Sequence, residues 1–173
     1  MKIIRLTFVL VLAMASGLIA LAQTGKAPET APTQPPYKRF PTIPPLDLTT
    51  TDGQKITKES LKKHPTLVMY FSPSCEHCIA EMNEIKKRWA DFDHLQVVMA
   101  TYQPMEELKQ FITDYEMDKH PNFLLGRDEK FLLPPFFVMK SLPYLALYNK
   151  KGNLITTFEG TTKLDKVLAA FKN

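Results

Sequence analysis

The feature that most constrains this chain is a pair of cysteines, Cys75 and Cys78, the only two it has, set where a buried strand gives way to a helix. Thr66–Phe71 (TLVMYF) is an unbroken apolar run bounded by Pro65 and Pro73, the pattern of a strand covered on both faces. From Cys75 to about Phe92, apolar residues recur at Ile79, Met82, Ile85 and Trp89, which is helical spacing with one buried face. The backbone N–H groups of a first helical turn are unpaired and carry partial positive charge, so a thiolate placed there is stabilised. A two-residue spacer lets both sulfurs meet on that turn in a disulfide that opens and closes reversibly. Attack by the first sulfur makes a mixed disulfide, and the second resolves it.

Other uses of such a pair are weaker matches. Two cysteines are too few to staple a small scaffold. Zinc usually takes four ligands, no second C-x-x-C exists, and His64, His77, His94 and His120 are scattered. Covalent c-type haem requires His directly after the second cysteine, and that position is Ile79. No metal and no cofactor are therefore expected. A purely structural disulfide remains open.

The rest of the chain supplies the frame. At 173 residues it has room for one domain plus appendages. Residues 1–22 combine Lys2 and Arg5 with an apolar run from Leu6 and a small-residue Ala20-Leu21-Ala22 ending, the three-part build of a secretory signal peptide. The alternative is a retained anchor; either reading puts the domain outside the cytoplasm, most naturally the periplasm, where a disulfide persists. Membrane contact is expected only if that segment stays. Without Lys2 and Arg5, 20 Lys/Arg face 18 Asp/Glu, a net of +2, and no dense basic stripe suggests nucleic acid. Residues 23–45 hold seven prolines and are expected to form an extended tether.

From residue 46 to 173 the pattern is regular. A hairpin is expected around Asp52-Gly53, then the Thr66–Phe71 strand, the cysteine helix, a second buried strand at Leu95–Thr101 and an amphipathic helix over Pro104–Met117. A short strand at Asn122–Leu125 follows. Lys130–Met139 is apolar but broken by Pro134-Pro135 and has no clear assignment. A hairpin of Tyr144–Tyr148 and Leu154–Phe158 and a closing helix over Thr162–Phe171 complete the order. Strands alternating with helices and ending in an antiparallel hairpin predict an α/β fold with a central mixed sheet flanked by helices.

With these residues in place, the chain resembles the thioredoxin superfamily, and within it the extracytoplasmic proteins of the TlpA/ResA type. The likeness covers about Pro45 to Lys172. It rests on the strand–C-x-x-C–helix unit, the Asp52-Gly53 hairpin ahead of it, Leu142-Pro143 just before a strand, and Gly160 after the last one. It implies a thioredoxin-like fold with an extra N-terminal β-hairpin, and a cis Pro143 packed beside the cysteines, shaping the substrate groove. It also implies that Glu81, in Cys75-x-x-Cys78-x-x-Glu81, modulates the acid–base behaviour of the pair. Two departures stand out. Ser74 replaces the thioredoxin Trp before the first cysteine, and Met69 replaces the buried Asp six residues before it, which leaves Glu81 as the leading proton-handling group. In the Glu76-His77 spacer, a protonated His77 favours the thiolate of Cys75 and Glu76 opposes it.

The expected activity is thiol–disulfide exchange with cysteine-containing client proteins, Cys75 attacking and Cys78 resolving, with another thiol protein as electron donor or acceptor. Two alternatives stay open. A peroxiredoxin wants Pro-x-x-x-Thr/Ser-x-x-Cys; Ser72 fits, but Val68 occupies the proline position. A non-catalytic binding or metal-carrier module would need a distant histidine such as His120.

Overall fold

The computed structural model describes residues 34–172; the expected signal segment and the first part of the tether lie outside them. A seven-stranded mixed sheet runs in the order β2-β1-β5-β4-β3-β6-β7. Its centre is β3 (Thr66–Tyr70), paired in parallel with β4 (Gln96–Thr101) and antiparallel with β6 (Tyr144–Tyr148). Every residue of these three strands is buried. Side chains alternate across a strand, so Leu67, Met69 and Phe71 enter one core and Val68 and Tyr70 the other. This double burial is why the three segments read as continuous apolar runs.

The first core lies under α2 (Glu76–Lys86), α3 (Met105–Asp114) and α5 (Leu164–Ala170), which contribute Met82 and Ile85, Leu108 and Phe111, and Leu164 and Val167. The cysteine helix is shorter than its apolar spacing predicts. Arg88, at φ −137° and ψ 33°, leaves the helical region, and a 3-10 turn over Trp89–Phe92 swings Phe92 into the core. α3 likewise stops early, because Glu116 adopts a left-handed φ of 51°.

The second core lies under α1 (Pro36–Arg39) and α4 (Leu133–Phe137). Here the structure departs from the expected tether over 23–45. Its described part is packed: Tyr37 meets Phe137 at 5.9 Å between ring centroids, Ile43 and Leu46 are buried, and Thr42 bridges to Asn153. The folded unit thus begins at about residue 36 rather than 46. The prolines do not prevent this, since Pro36 opens a helix where its missing N–H costs nothing. α4 resolves the unassigned stretch by the same rule. Pro134 and Pro135 sit in its first turn, where N–H groups have no partner within the helix, and the Asp128 carboxylate accepts the N–H groups of Leu132 and Leu133 at 3.0 and 2.9 Å.

The N-terminal hairpin, β1 (Asp47–Thr49) and β2 (Lys55–Thr57), extends the sheet by pairing β1 with β5 (Phe123–Arg127). Its close approach depends on Gly126. A Cβ there would stand 2.7 Å from the Leu48 Cβ and 3.3 Å from the Ile56 Cδ1. Gly126→Ala is expected to destabilise the fold by about 1–3 kcal/mol, the usual cost of overpacking. Urea unfolding checks this; an unchanged midpoint would mean that the hairpin can move off Gly126 at no cost. β7 (Leu154–Glu159) closes the opposite edge against β6.

Candidate functional site

The central strand delivers the site. β3 ends at Tyr70, Phe71 N–H still bonds the carbonyl of Ala100 at 2.9 Å, and Ser72–Ser74 turn the chain into α2. Cys75 is the N-cap residue (φ −83°, ψ 117°), and its carbonyl accepts the first helical bond from Ile79 N–H at 2.9 Å. Its side chain occupies the position from which serine or aspartate caps a helix, beside the unpaired first-turn N–H groups. Cys78 lies in the first turn, facing the core.

The two thiols differ sharply. Both are free; Cys75 is half-buried, whereas Cys78 is 1 % exposed. Burial pushes the Cys78 thiol up to about 12, partly opposed by a backbone hydrogen bond at Ser72, and the Cys75 sulfur close beside it adds to the rise. The outer sulfur meets solvent and the inner one holds its proton.

Glu81 follows one turn later on the same inner face. Only 4 % of it is exposed, and its Oε1 has no hydrogen-bond partner. Burial raises its carboxyl to about 6, against the stabilising N–H of Thr162, and the Glu84 charge raises it further. The carboxyl borders a cleft of about 350 Å³, walled by Glu84, Arg88 and the Thr161–Asp165 segment. A titratable group thus sits between the interior and an opening to solvent.

The remaining expected residues fall as follows. Pro143 is buried and follows a cis bond from Leu142. Tyr144 pairs with Tyr70, so the register carries Pro143 to the level of Phe71, at the sheet end where α2 begins. His77 is exposed, its Nδ1 3.2 Å from the Thr161 hydroxyl, which ties the cysteine turn to the loop after β7. Met69 is fully buried where thioredoxin keeps its Asp. His120 is stacked on Trp89 at 3.7 Å, and among the described residues no group of three His, Cys, Asp or Glu side chains is arranged to hold a metal.

Two contributors escaped the sequence reading. Glu159, at the end of β7, accepts the N–H groups of Lys140 and Ser141 through one oxygen, the latter at 2.7 Å, fixing the chain that leads into Leu142-Pro143. Gln103 donates its side-chain amide to Ser72 Oγ at 3.3 Å, and Ser72 Oγ lies 3.1 Å from Ser74 Oγ, bracing the turn before Cys75. Neither has a local signature, because each partner lies 18 to 31 residues away.

A mixed sheet of this order, with a cysteine pair opening the helix after its central strand, defines the class of thioredoxin-like thiol–disulfide oxidoreductases. The chain belongs to the AhpC/TSA family, whose model matches residues 41–167. Among solved structures it is similar to a protein from Neisseria meningitidis proposed to be a thioredoxin, with 25% identity over 75% of this chain and 89% of that one (TM-score 0.62). It is also similar to a secreted disulfide oxidoreductase of Mycobacterium tuberculosis homologous to E. coli DsbE, at 18% identity, covering 73% and 94% (TM-score 0.60). A peroxiredoxin-like protein from Aquifex aeolicus matches at 14% identity, covering 76% and 84% (TM-score 0.60). No curated protein matches the chain by sequence.

Proposed function

We propose that the protein is an extracytoplasmic thiol–disulfide oxidoreductase that exchanges electrons with the cysteines of partner proteins through Cys75 and Cys78. The observation that carries this reading is the inequality of the two thiols, one reachable at a helix mouth and one sealed beneath it. The Cys75 thiolate attacks one sulfur of a client disulfide. A Cys75–client bond forms, and the second client sulfur leaves as a thiolate that takes up a proton. Cys78 then loses its proton and attacks the Cys75 sulfur, forming the Cys75–Cys78 disulfide and releasing the first client sulfur as a thiolate. Two electrons pass to the client, and a thiol protein must return them; the opposite direction runs the same steps in reverse.

In this scheme the second step is the harder one, because Cys78 ionises poorly. Glu81, ionised above about pH 6 and one turn away, is the group suited to receive that proton and pass it to the adjoining cleft. Pro143 borders the client groove, and His77 steadies the cysteine turn through Thr161. The signal-peptide reading of residues 1–22 and the secreted nature of the M. tuberculosis structure support a location outside the cytoplasm.

A thiol peroxidase is the second reading, favoured by the likeness to the A. aeolicus protein. Its weakness is Val68, which lies inside β3 where the peroxidase pattern wants proline. The two readings separate in paired assays on the purified protein. Reduction of insulin disulfides with dithiothreitol as donor is expected to accelerate, while hydrogen peroxide is consumed no faster than by a free thiol. Rapid peroxide consumption with insulin untouched would reverse the assignment.

A further inference from the structure

On the sheet face opposite α2, beside the cysteine turn, we propose a specificity subsite for the client: a groove that takes a large apolar side chain neighbouring the client's cysteine, with an acidic residue next to it. The proposal rests on the oxidoreductase reading above and names which clients that site prefers. Tyr70, Tyr102, Phe131, Met139 and Leu142 line the groove, Lys140 stands at its rim, and its volume of about 160 Å³ suits one side chain.

Three observations support it. The first is unreturned cost. Phe131 is 50 % exposed and Tyr102 45 %, their rings meeting edge to face at 5.6 Å in solvent. Phe131 is held at φ +52°, a left-handed conformation that bulky residues avoid, by a loop in which its N–H bonds the Asp128 carbonyl at 3.1 Å and the next two N–H groups bond the Asp128 carboxylate. A loop built to show an aromatic ring to water, at a backbone cost, is the signature of a binding element. The second is continuity with the cysteines. Leu142 directly precedes Pro143, and Tyr102 adjoins Gln103, whose amide braces Ser72 in the turn before Cys75. The third is chemistry awaiting a partner. Lys140 makes no ion pair among the described residues. An apolar floor with one free cation at its edge suits an extended acidic–apolar peptide.

The test compares two peptide disulfides, one with Glu-Phe before its cysteine and one with Gly-Ser, together with oxidised glutathione as a substrate that has no aromatic side chain to fill the groove. The full chain is expected to reduce the Glu-Phe peptide with a kcat/KM about tenfold above the Gly-Ser peptide, an effect of the size one buried aromatic contact supplies. Phe131→Asn, chosen because asparagine tolerates left-handed backbone, and Tyr102→Ser are each expected to bring that ratio close to one. Ile155→Ser, an exposed apolar change on β7, keeps the wild-type ratio. A wild-type ratio near one, or a preference that survives both groove variants, overturns the subsite. So does sedimentation showing a dimer that Phe131→Asn dissolves, because the groove then serves a second copy. If no disulfide, glutathione included, is turned over, the oxidoreductase reading has failed separately. The groove is then decided by NMR titration with the Glu-Phe peptide carrying serine for cysteine: shifts at Tyr102 and Phe131 support it, and their absence refutes it.

Discussion

Cys75→Ser abolishes disulfide exchange, and Cys78→Ser leaves a protein that stays covalently joined to its clients. The first loss is expected to be on the order of 10³-fold or more, because no second nucleophile stands at the helix mouth to replace the sulfur. The second follows from the burial of Cys78. Cys75 still attacks and forms the mixed disulfide, but with serine at 78 nothing internal can displace the client, and the adduct accumulates until external thiol releases it. Non-reducing electrophoresis after quenching with an alkylating agent reads both outcomes, and mass spectrometry locates the linked cysteine. Adducts through Cys78 in the Cys75→Ser protein would invert the roles. With Cys78 1 % exposed, that result would also require the first turn of α2 to open.

What could be read from the amino acids follows how each element is buried. β3, β4 and β6 are covered on both faces, so TLVMYF, LQVVMAT and YLALY carry their own signal. The cysteine pair and Glu81 were legible for a related reason: a strand end, two sulfurs and a carboxylate one turn on lie within a dozen residues. Packing across long separations was not legible. Proline-rich residues 36–46 look extended by local rules, yet Ile43 and Leu46 fill a core whose other members come from β1 to β4, β6 and α4. α4 was hidden because its first-turn N–H groups are satisfied by Asp128, four to five residues upstream, through a side chain that gives no helical pattern. Gly126 carried no message until β1 was laid against it. His77 was read for its charge beside Cys75, whereas its visible bond is to Thr161, 84 residues away.

Glu81→Gln is expected to make the protein more stable at pH 8 and slower in the resolving step, and the two effects share one cause. The carboxyl is raised from 4.5 to about 6 by burial, so the folded chain holds this proton more tightly than the unfolded chain does. As pH rises from about 4.5 to 6 the unfolded chain ionises first, and folding loses free energy across that window; above it the loss is complete, about 1–2 kcal/mol from the size of the shift. Glutamine keeps the shape and never ionises. Urea unfolding between pH 4 and 8 should therefore show the wild type weakening relative to Glu81→Gln through the window, with the two converging at pH 4. The same substitution removes the acceptor for the Cys78 proton, so the rate at which Cys78 closes on a Cys75 mixed disulfide should lose its inflection near pH 6. A variant with both profiles unchanged would make Glu81 a solvated surface charge, against its 4 % exposure. A variant that gains stability but keeps the inflection would assign the proton step to another group. The native chain retains an ionisable carboxyl where an amide packs at lower cost, and proton transfer at Cys78 is the one step in the proposed cycle that needs it.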